Sequence, residues 1–148
     1  MRFMMIVKGE LPPTEDGGLQ MPSEEGLAAM GKFNEEMVKA GVMLAGEGLQ
    51  PSAKGARVVH NGDNVTVIDG PFAETKELIA GYWLIQAKSL DEAIEWAKRC
   101  PNLAPDGVDN AIEIRQIFED DDFGDEFTPE LREQERRIRE QAEANAIS

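Results

Sequence analysis

Ala56-Arg57-Val58-Val59-His60-Asn61-Gly62-Asp63-Asn64-Val65-Thr66-Val67-Ile68-Asp69 is the stretch on which the fold turns. Two runs rich in β-branched residues, Ala56–His60 and Val65–Asp69, flank Asn61-Gly62-Asp63-Asn64. Asn-Gly is a strong hairpin signal because both residues tolerate positive φ. Moving outward toward the N-terminus, Val42–Leu49 reads as a strand. It is preceded by a helix that Ser23 caps, with Glu24 and Glu25 at its positive dipole end. Leu27, Met30, Met37 and Val38 recur near helical spacing, and Gly41 supplies the terminating residue. Leu11–Pro22, with three Pro and two Gly, is a loop. Arg2–Lys8 is a strand with apolar residues on both faces, Phe3, Met5 and Val7 against Met4 and Ile6.

Toward the C-terminus, Gly81–Ala87 is a strand dense in Tyr82, Trp83, Leu84 and Ile85. Ser89-Leu90-Asp91-Glu92 forms a capping box for a helix whose apolar face is Leu90, Ala93, Ile94 and Ala97, and Pro101 closes that region. Ala111–Phe118 alternates Ile112 and Ile114 with Glu113 and Arg115, the pattern of a half-buried strand. The order is therefore β-α-β, a hairpin, then β-α-β. Two helices on one side of a mostly antiparallel sheet give an α+β, ferredoxin-like layer. Its second face stays bare unless something covers it, and the apolar residues on both faces of the first strand point to another subunit, a homodimer.

Composition sets the class. The chain has 148 residues, 41% hydrophobic and 30% charged, enough for one domain to bury a core without a metal or disulfide staple. Phe3-Met4-Met5-Ile6-Val7 is too short for a secretory core or a membrane span. The single Cys100 forms no internal disulfide and suits a reducing cytoplasm. A net charge of −14 repels phosphate backbones and anionic lipid, so neither nucleic acid nor membrane is an expected partner. That charge is uneven: residues 119–148 hold 11 acidic and 4 basic side chains, against 18 and 11 in residues 1–118. Composition thus divides the chain into a body, 1–118, and an acidic extension, 119–148, whose run Glu119–Asp122 reads as a solvated linker. Thr128-Pro129-Glu130 starts a helix there, with Glu133→Arg137 and Glu135→Arg139 as i,i+4 pairs. Leu131, Ile138 and Ala142 form a stripe too thin for a core. The helix is either exposed or an arm on a neighbouring subunit or partner.

Val67-Ile68-Asp69-Gly70-Pro71-Phe72-Ala73-Glu74-Thr75-Lys76-Glu77, followed by Gly81-Tyr82-Trp83-Leu84-Ile85, resembles the YCII-related family, also called the DGPF-domain family. Ala40-Gly41-Val42 leading to Gly46-Glu47-Gly48-Leu49-Gln50-Pro51, and Leu90-Asp91-Glu92-Ala93 with Trp96-Ala97, extend the likeness from about Arg2 to Phe118. The resemblance implies a ferredoxin-like subunit in a dimeric α/β barrel, and small bacterial proteins often encoded near extracytoplasmic-function sigma factors. It also implies, for some relatives, a His and an Asp meeting in a cleft. Here the Asp carries over onto Asp69, but the His, expected in the first helix, has no counterpart in Glu24–Ala40.

The candidate chemistry centres on Asp69. It ends a strand before Gly70-Pro71, where it is either a partly desolvated general base in a cleft or the anchor of an Asx-type turn. Glu47, between two glycines that permit close backbone approach, is expected to face it across the sheet or to sit on an exposed bulge. Phe72, Glu74 and Trp83 are the remaining ligand-binding candidates, with Lys76 in the same loop. Tyr82 and Trp83 must face opposite sides, one to the core and one to the cleft or dimer face. His60, the only imidazole, lies beside the hairpin turn, where it either points to water or serves as a helper to Asp69. Neither zinc-ligand spacing nor a calcium loop is present, and no cofactor is indicated. Cys100 reads as a packed thiol, and no serine has a base at motif spacing. Three functions stand open: a homodimeric binder of a small organic ligand near Asp69, Phe72 and Glu47; an acid–base enzyme using Asp69; and an interaction module linked to transcription through its acidic tail.

Overall fold

The computed structural model describes residues 1–107 and 109–147. In chain order the elements are β1 (Arg2–Lys8), α1 (Glu24–Lys39), β2 (Met43–Gly48), β3 (Ala56–Asn61), β4 (Asn64–Asp69), β5 (Ile79–Gln86), α2 (Leu90–Lys98), β6 (Ile112–Gln116) and α3 (Pro129–Ile147). Short 3₁₀ turns lie at Ser52–Lys54, Thr75–Glu77 and Asp120–Asp122. The element order is the expected one, within a few residues at each boundary. Two compact units emerge, Met1–Gln116 and a second that begins at Ile117.

In the first unit β2, β5, β1 and β6 form, in that order, a four-stranded antiparallel sheet, and β3 and β4 form a separate two-stranded hairpin. This is a mixed α+β architecture. The four-stranded sheet is open, with β2 and β6 as its edges, and no closed barrel forms among the described residues. Phe3 and Met5 of β1 pair with Ile85 and Trp83 of β5, and all four turn toward α1 and α2. Phe33, Met37 and Ala93 meet them from the helices, so the core lies in one layer between sheet and helices. Met4, Ile6, Tyr82 and Leu84 alternate onto the opposite face and are only half-buried. Burial of the large core side chains, Phe3, Met5, Phe33, Met37 and Ile85, contributes roughly 1.5–3 kcal/mol each.

The ends of α1 follow from its sequence. Ser23 Oγ accepts the Gly26 N–H at 3.1 Å. At the other end Gly41 takes φ +72°, letting its N–H reach Val38 O (3.0 Å) while Val42 N–H reaches Met37 O (2.9 Å). The buried stripe differs from the expected one. Met37 is buried as expected, but Leu27 and Val38 are 54% and 59% exposed, and Phe33 is buried instead. The stripe follows the residues that reach Trp83: Phe33 meets its ring edge-on at 5.6 Å. For α2, Ser89 Oγ accepts the Glu92 N–H (3.1 Å), while the Glu92 carboxylate reaches back to Lys88 N–H (2.9 Å).

The hairpin turn sits one residue later than the Asn-Gly signal suggests. Asn61 pairs with Asn64 inside the ladder, and the two turn residues are Gly62 and Asp63. Only Gly62 has positive φ (+60°), at the first central position where a II′-type turn requires it.

In the second unit the acidic run forms the Asp120–Asp122 turn, closed by Glu119 N–H bonding to Asp122 Oδ2 at 2.7 Å. Phe118, Phe123 and Phe127 stack in sequence at 5.0 and 5.3 Å. Thr128 caps α3, accepting the Leu131 N–H at 3.3 Å. The expected Glu135–Arg139 pair forms at 2.9 Å. Glu133 pairs instead with Arg136, whose guanidinium also holds Glu140, each at 2.5 Å. Residues three apart on a helix are neighbours too, and a planar fork can serve two carboxylates at once. Arg136 holds the Glu133 carboxyl below the usual range. Leu131 and Ile138 remain 45% and 54% exposed.

Candidate functional site

At one end of the sheet β1 and β2 leave and β5 enters, and three loops are tied together there. Gly9 N–H bonds to Leu78 O (2.8 Å), and Lys8 Nζ to Lys76 O (3.2 Å). The Glu10 carboxylate then accepts both the backbone N–H and the hydroxyl of Ser52, each at 2.8 Å. Ser52 Oγ in turn accepts the Phe72 N–H at 3.2 Å. A charged acceptor makes these stronger than neutral bonds. Glu10 thus fastens the segment after β2 to the loop after β4.

Gly70 explains part of the Asp-Gly-Pro-Phe sequence. A Cβ placed there would lie 1.7 Å from Ser52 O and 2.6 Å from Ser52 C, so no side chain fits. Its N–H closes the hairpin base on Gly55 O at 3.0 Å, and the Gly70-Pro71 peptide is cis. Phe72 is half-buried beneath the Arg57 guanidinium, 4.0 Å from the ring centroid, and Arg57 is paired with Glu77 at 3.3 Å.

Asp69 is the last residue of β4, paired with Ala56 and exposed. Among the described residues its carboxylate has no hydrogen-bond or ion-pair partner. Glu47 lies in the other sheet, exposed, with Tyr82 as its cross-strand neighbour, so the two carboxylates do not face each other across a ladder. Glycine at 46 serves the helix side: a Cβ there would come within 2.7 Å of Trp83 Cδ1. Trp83 is 6% exposed and part of the core, its Nε1–H donated to Asn34 Oδ1 at 2.9 Å. Tyr82 takes the opposite face. Glu74 is exposed, and so is His60, opposite Val65 on the hairpin. Cys100 is half-buried, and burial pushes its thiol up to about 11.

Two rows of side chains cross the open face of the sheet. One runs Glu47, Tyr82, Ile6, Glu113; the next runs Ala45, Leu84, Met4, Arg115. Directly opposed residues bring their Cβ atoms within about 5 Å, so Glu47 and the Tyr82 ring are neighbours. The result is an apolar centre with a phenol and a carboxylate at the loop end, rimmed by charges. A separate groove of about 330 Å³ is lined by Asn34, Glu35, Val38, Lys39 and Met43. No cluster of three or more His, Cys, Asp or Glu placed to hold a metal, and no helix long and apolar enough to cross a membrane, occurs among the described residues.

Glu10, Ser52, Arg57 and Glu77 were not signalled by the sequence. Glu10 and Ser52 are 42 positions apart, and no local pattern marks a carboxylate that bonds at such a separation.

The family model described as "YCII-related domain" matches residues 1–121. An uncharacterized protein, R00369, of Rhizobium meliloti (strain 1021) is 41% identical over 68 residues, 46% of this chain and 55% of that relative. The matched region thus spans about half the length of that curated relative.

Proposed function

The chain belongs to the YCII-related family, and from that premise we propose a homodimeric protein that binds a small organic ligand at the loop end of its open sheet face. The observation that carries this reading is the row Glu47–Tyr82–Ile6–Glu113 beside Leu84 and Met4. An antiparallel sheet packed by helices on one side keeps its other side polar when that side faces water. Here the other side is apolar at its centre. Two such faces brought together make the ferredoxin-like subunits a dimeric α/β barrel and enclose the row. Glu47 and Tyr82 then supply an anionic acceptor and a phenol for the hydrogen-bond donor group of an otherwise apolar ligand. The Asp-Gly-Pro-Phe loop holds the mouth of this cleft in shape through Gly70, Ser52 and Glu10. Cytoplasmic location and a bacterial regulatory setting belong to the same reading.

A thermal-shift screen of small metabolites tests it, together with the native mass, expected at no less than twice 16.3 kDa. Shifts that disappear in Glu47→Gln and Tyr82→Phe but persist in Asp69→Asn support the sheet-face site. Shifts lost only in Asp69→Asn would move the site to the hairpin end and favour acid–base chemistry. A second reading, a protein-interaction module, is favoured by the separate unit that begins at Ile117 and the charge it carries. Deleting residues 119–148 separates a partner-binding tail, whose loss leaves the number of subunits unchanged, from an arm that holds the dimer.

A further inference from the structure

The hairpin β3–β4 presents two outer strand edges, and they are not alike. A free edge offers unpaired N–H and C=O groups to any other strand, and proteins ordinarily blunt it with charge, bulges or proline. β2 carries Glu47 and a register irregularity between Met43 and Ala45. β6 carries Glu113 and Arg115, and β3 carries Arg57 and His60. β4 carries one charge, Asp69, at its very end: the five residues before it, Asn64-Val65-Thr66-Val67-Ile68, are uncharged, β-branched at four positions, and all exposed. A two-stranded hairpin is by itself marginal in water, and this one leaves Val58, Val65 and Val67 at 55%, 59% and 63% exposure on one face.

The register says what fits this edge. Gly70 N–H bonds to Gly55 O, and antiparallel pairs alternate between bonded and non-bonded. The bonded partners of β3 in β4 are therefore Asn64, Thr66 and Ile68. The backbone groups of Val65, Val67 and Asp69 point outward. We infer that β4 pairs antiparallel with β4 of a second copy of this chain, about a two-fold axis at Val67. In that register Val67 faces the partner's Val67, and Val65 faces the partner's Asp69, so all three outward residues of each strand are bonded. The only charge on the strand, Asp69, falls opposite a valine rather than a like charge. One face of the resulting four-stranded sheet carries an unbroken row, Val58 and Val67 of one copy followed by the partner's Val67 and the partner's Val58. An isologous contact of this kind is self-complementary. It requires nothing of the sheet-face site.

Thiol cross-linking of the full chain tests the register. A bonded antiparallel pair sets its Cα atoms about 5.5 Å apart, within disulfide reach. Val67→Cys should form a disulfide-linked dimer under mild oxidation by glutathione disulfide about tenfold faster than Thr66→Cys, which faces the partner's Ile68 instead. Both are made on a Cys100→Ser background and compared on non-reducing gels. Val67→Lys, which sets two like charges opposite each other at an exposed position, should halve the mass measured by light scattering without changing the circular dichroism. Equal cross-linking of the two cysteine variants overturns the inference, as does an unchanged mass for Val67→Lys or a wild-type mass of 16.3 kDa at all concentrations. Because halving is read against the wild-type mass, dimer-to-monomer and tetramer-to-dimer outcomes both support it, whatever the ligand screen finds.

Discussion

Replacing Gly70 with alanine adds one methyl group where a glycine makes its closest approach to neighbouring backbone. The Cβ would stand 1.7 Å from Ser52 O, against the roughly 3.2 Å that a carbon and an oxygen need, so the strand end and the Ser52 turn must separate by about 1.5 Å. Neither neighbour is the far end of a flexible side chain; both are backbone. Separation breaks the Gly70 N–H bond to Gly55 O and strains the Phe72 N–H bond to Ser52 Oγ. Losing about one net hydrogen bond costs about 1 kcal/mol, and local overpacking adds roughly 1–3 kcal/mol. A total near 2–4 kcal/mol corresponds to a fall in Tm of about 8–16 °C for a unit of this size. Thermal unfolding followed by circular dichroism reads it directly. Gly31→Ala is the control: it lies in α1 with nothing within 4 Å of its added Cβ, and should raise stability by about 0.5–1 kcal/mol. A Gly70→Ala Tm within about 2 °C of the wild type would refute the close approach and the account of the motif built on it.

Other expectations follow from the same geometry. Glu10→Ala and Ser52→Ala should each lower stability by about 1–3 kcal/mol in urea denaturation, and the double variant should cost clearly less than their sum, because both remove one knot. Phe33→Ala should cost about 3–5 kcal/mol and Leu27→Ala under ~1 kcal/mol, the ordering of their burial rather than of their helical spacing. The Cys100 thiol, raised to about 11 in the folded chain from 9.0, should resist Ellman's reagent at pH 8 until denaturant is added. The sign of its linkage is fixed: above pH 9 the unfolded thiol loses its proton and the folded one keeps it, so stability falls as pH rises from about 9 toward 11. A Cys100→Ser chain should lack that part of the decline.

The sequence foretold the order of elements because period and caps are local. Ser23, Gly41, Ser89 and Thr128 each act within four residues of themselves, and each is found doing so. Faces were harder. Helical spacing admits Leu27 and Val38 to the apolar stripe as readily as Phe33, and only the position of Trp83 across the layer decides among them. The site was least legible. Asp69 and Phe72 are visible in a short motif, but the groups that hold their loop, Glu10 and Ser52, are joined through space across 42 residues. Gly70 could be read as a bend from Pro71, yet its stricter requirement comes from the Ser52 carbonyl, a neighbour no sequence window contains. Tyr82 and Trp83 had to part company by strand alternation, and the layer of helices determined which went inward.

The guanidinium of Arg136, clasped by Glu133 and Glu140, has a consequence for how the molecule comes apart. Every contact of that ladder is bathed in solvent, so added electrolyte weakens it, whereas the oily layer around Met5 and Ile85 is indifferent to electrolyte or tightened by it. Heating at rising ionic strength should therefore pull the melting of the C-terminal rod and of the sheet in opposite directions, giving a far-ultraviolet signal that resolves into two steps where dilute buffer shows them closer together.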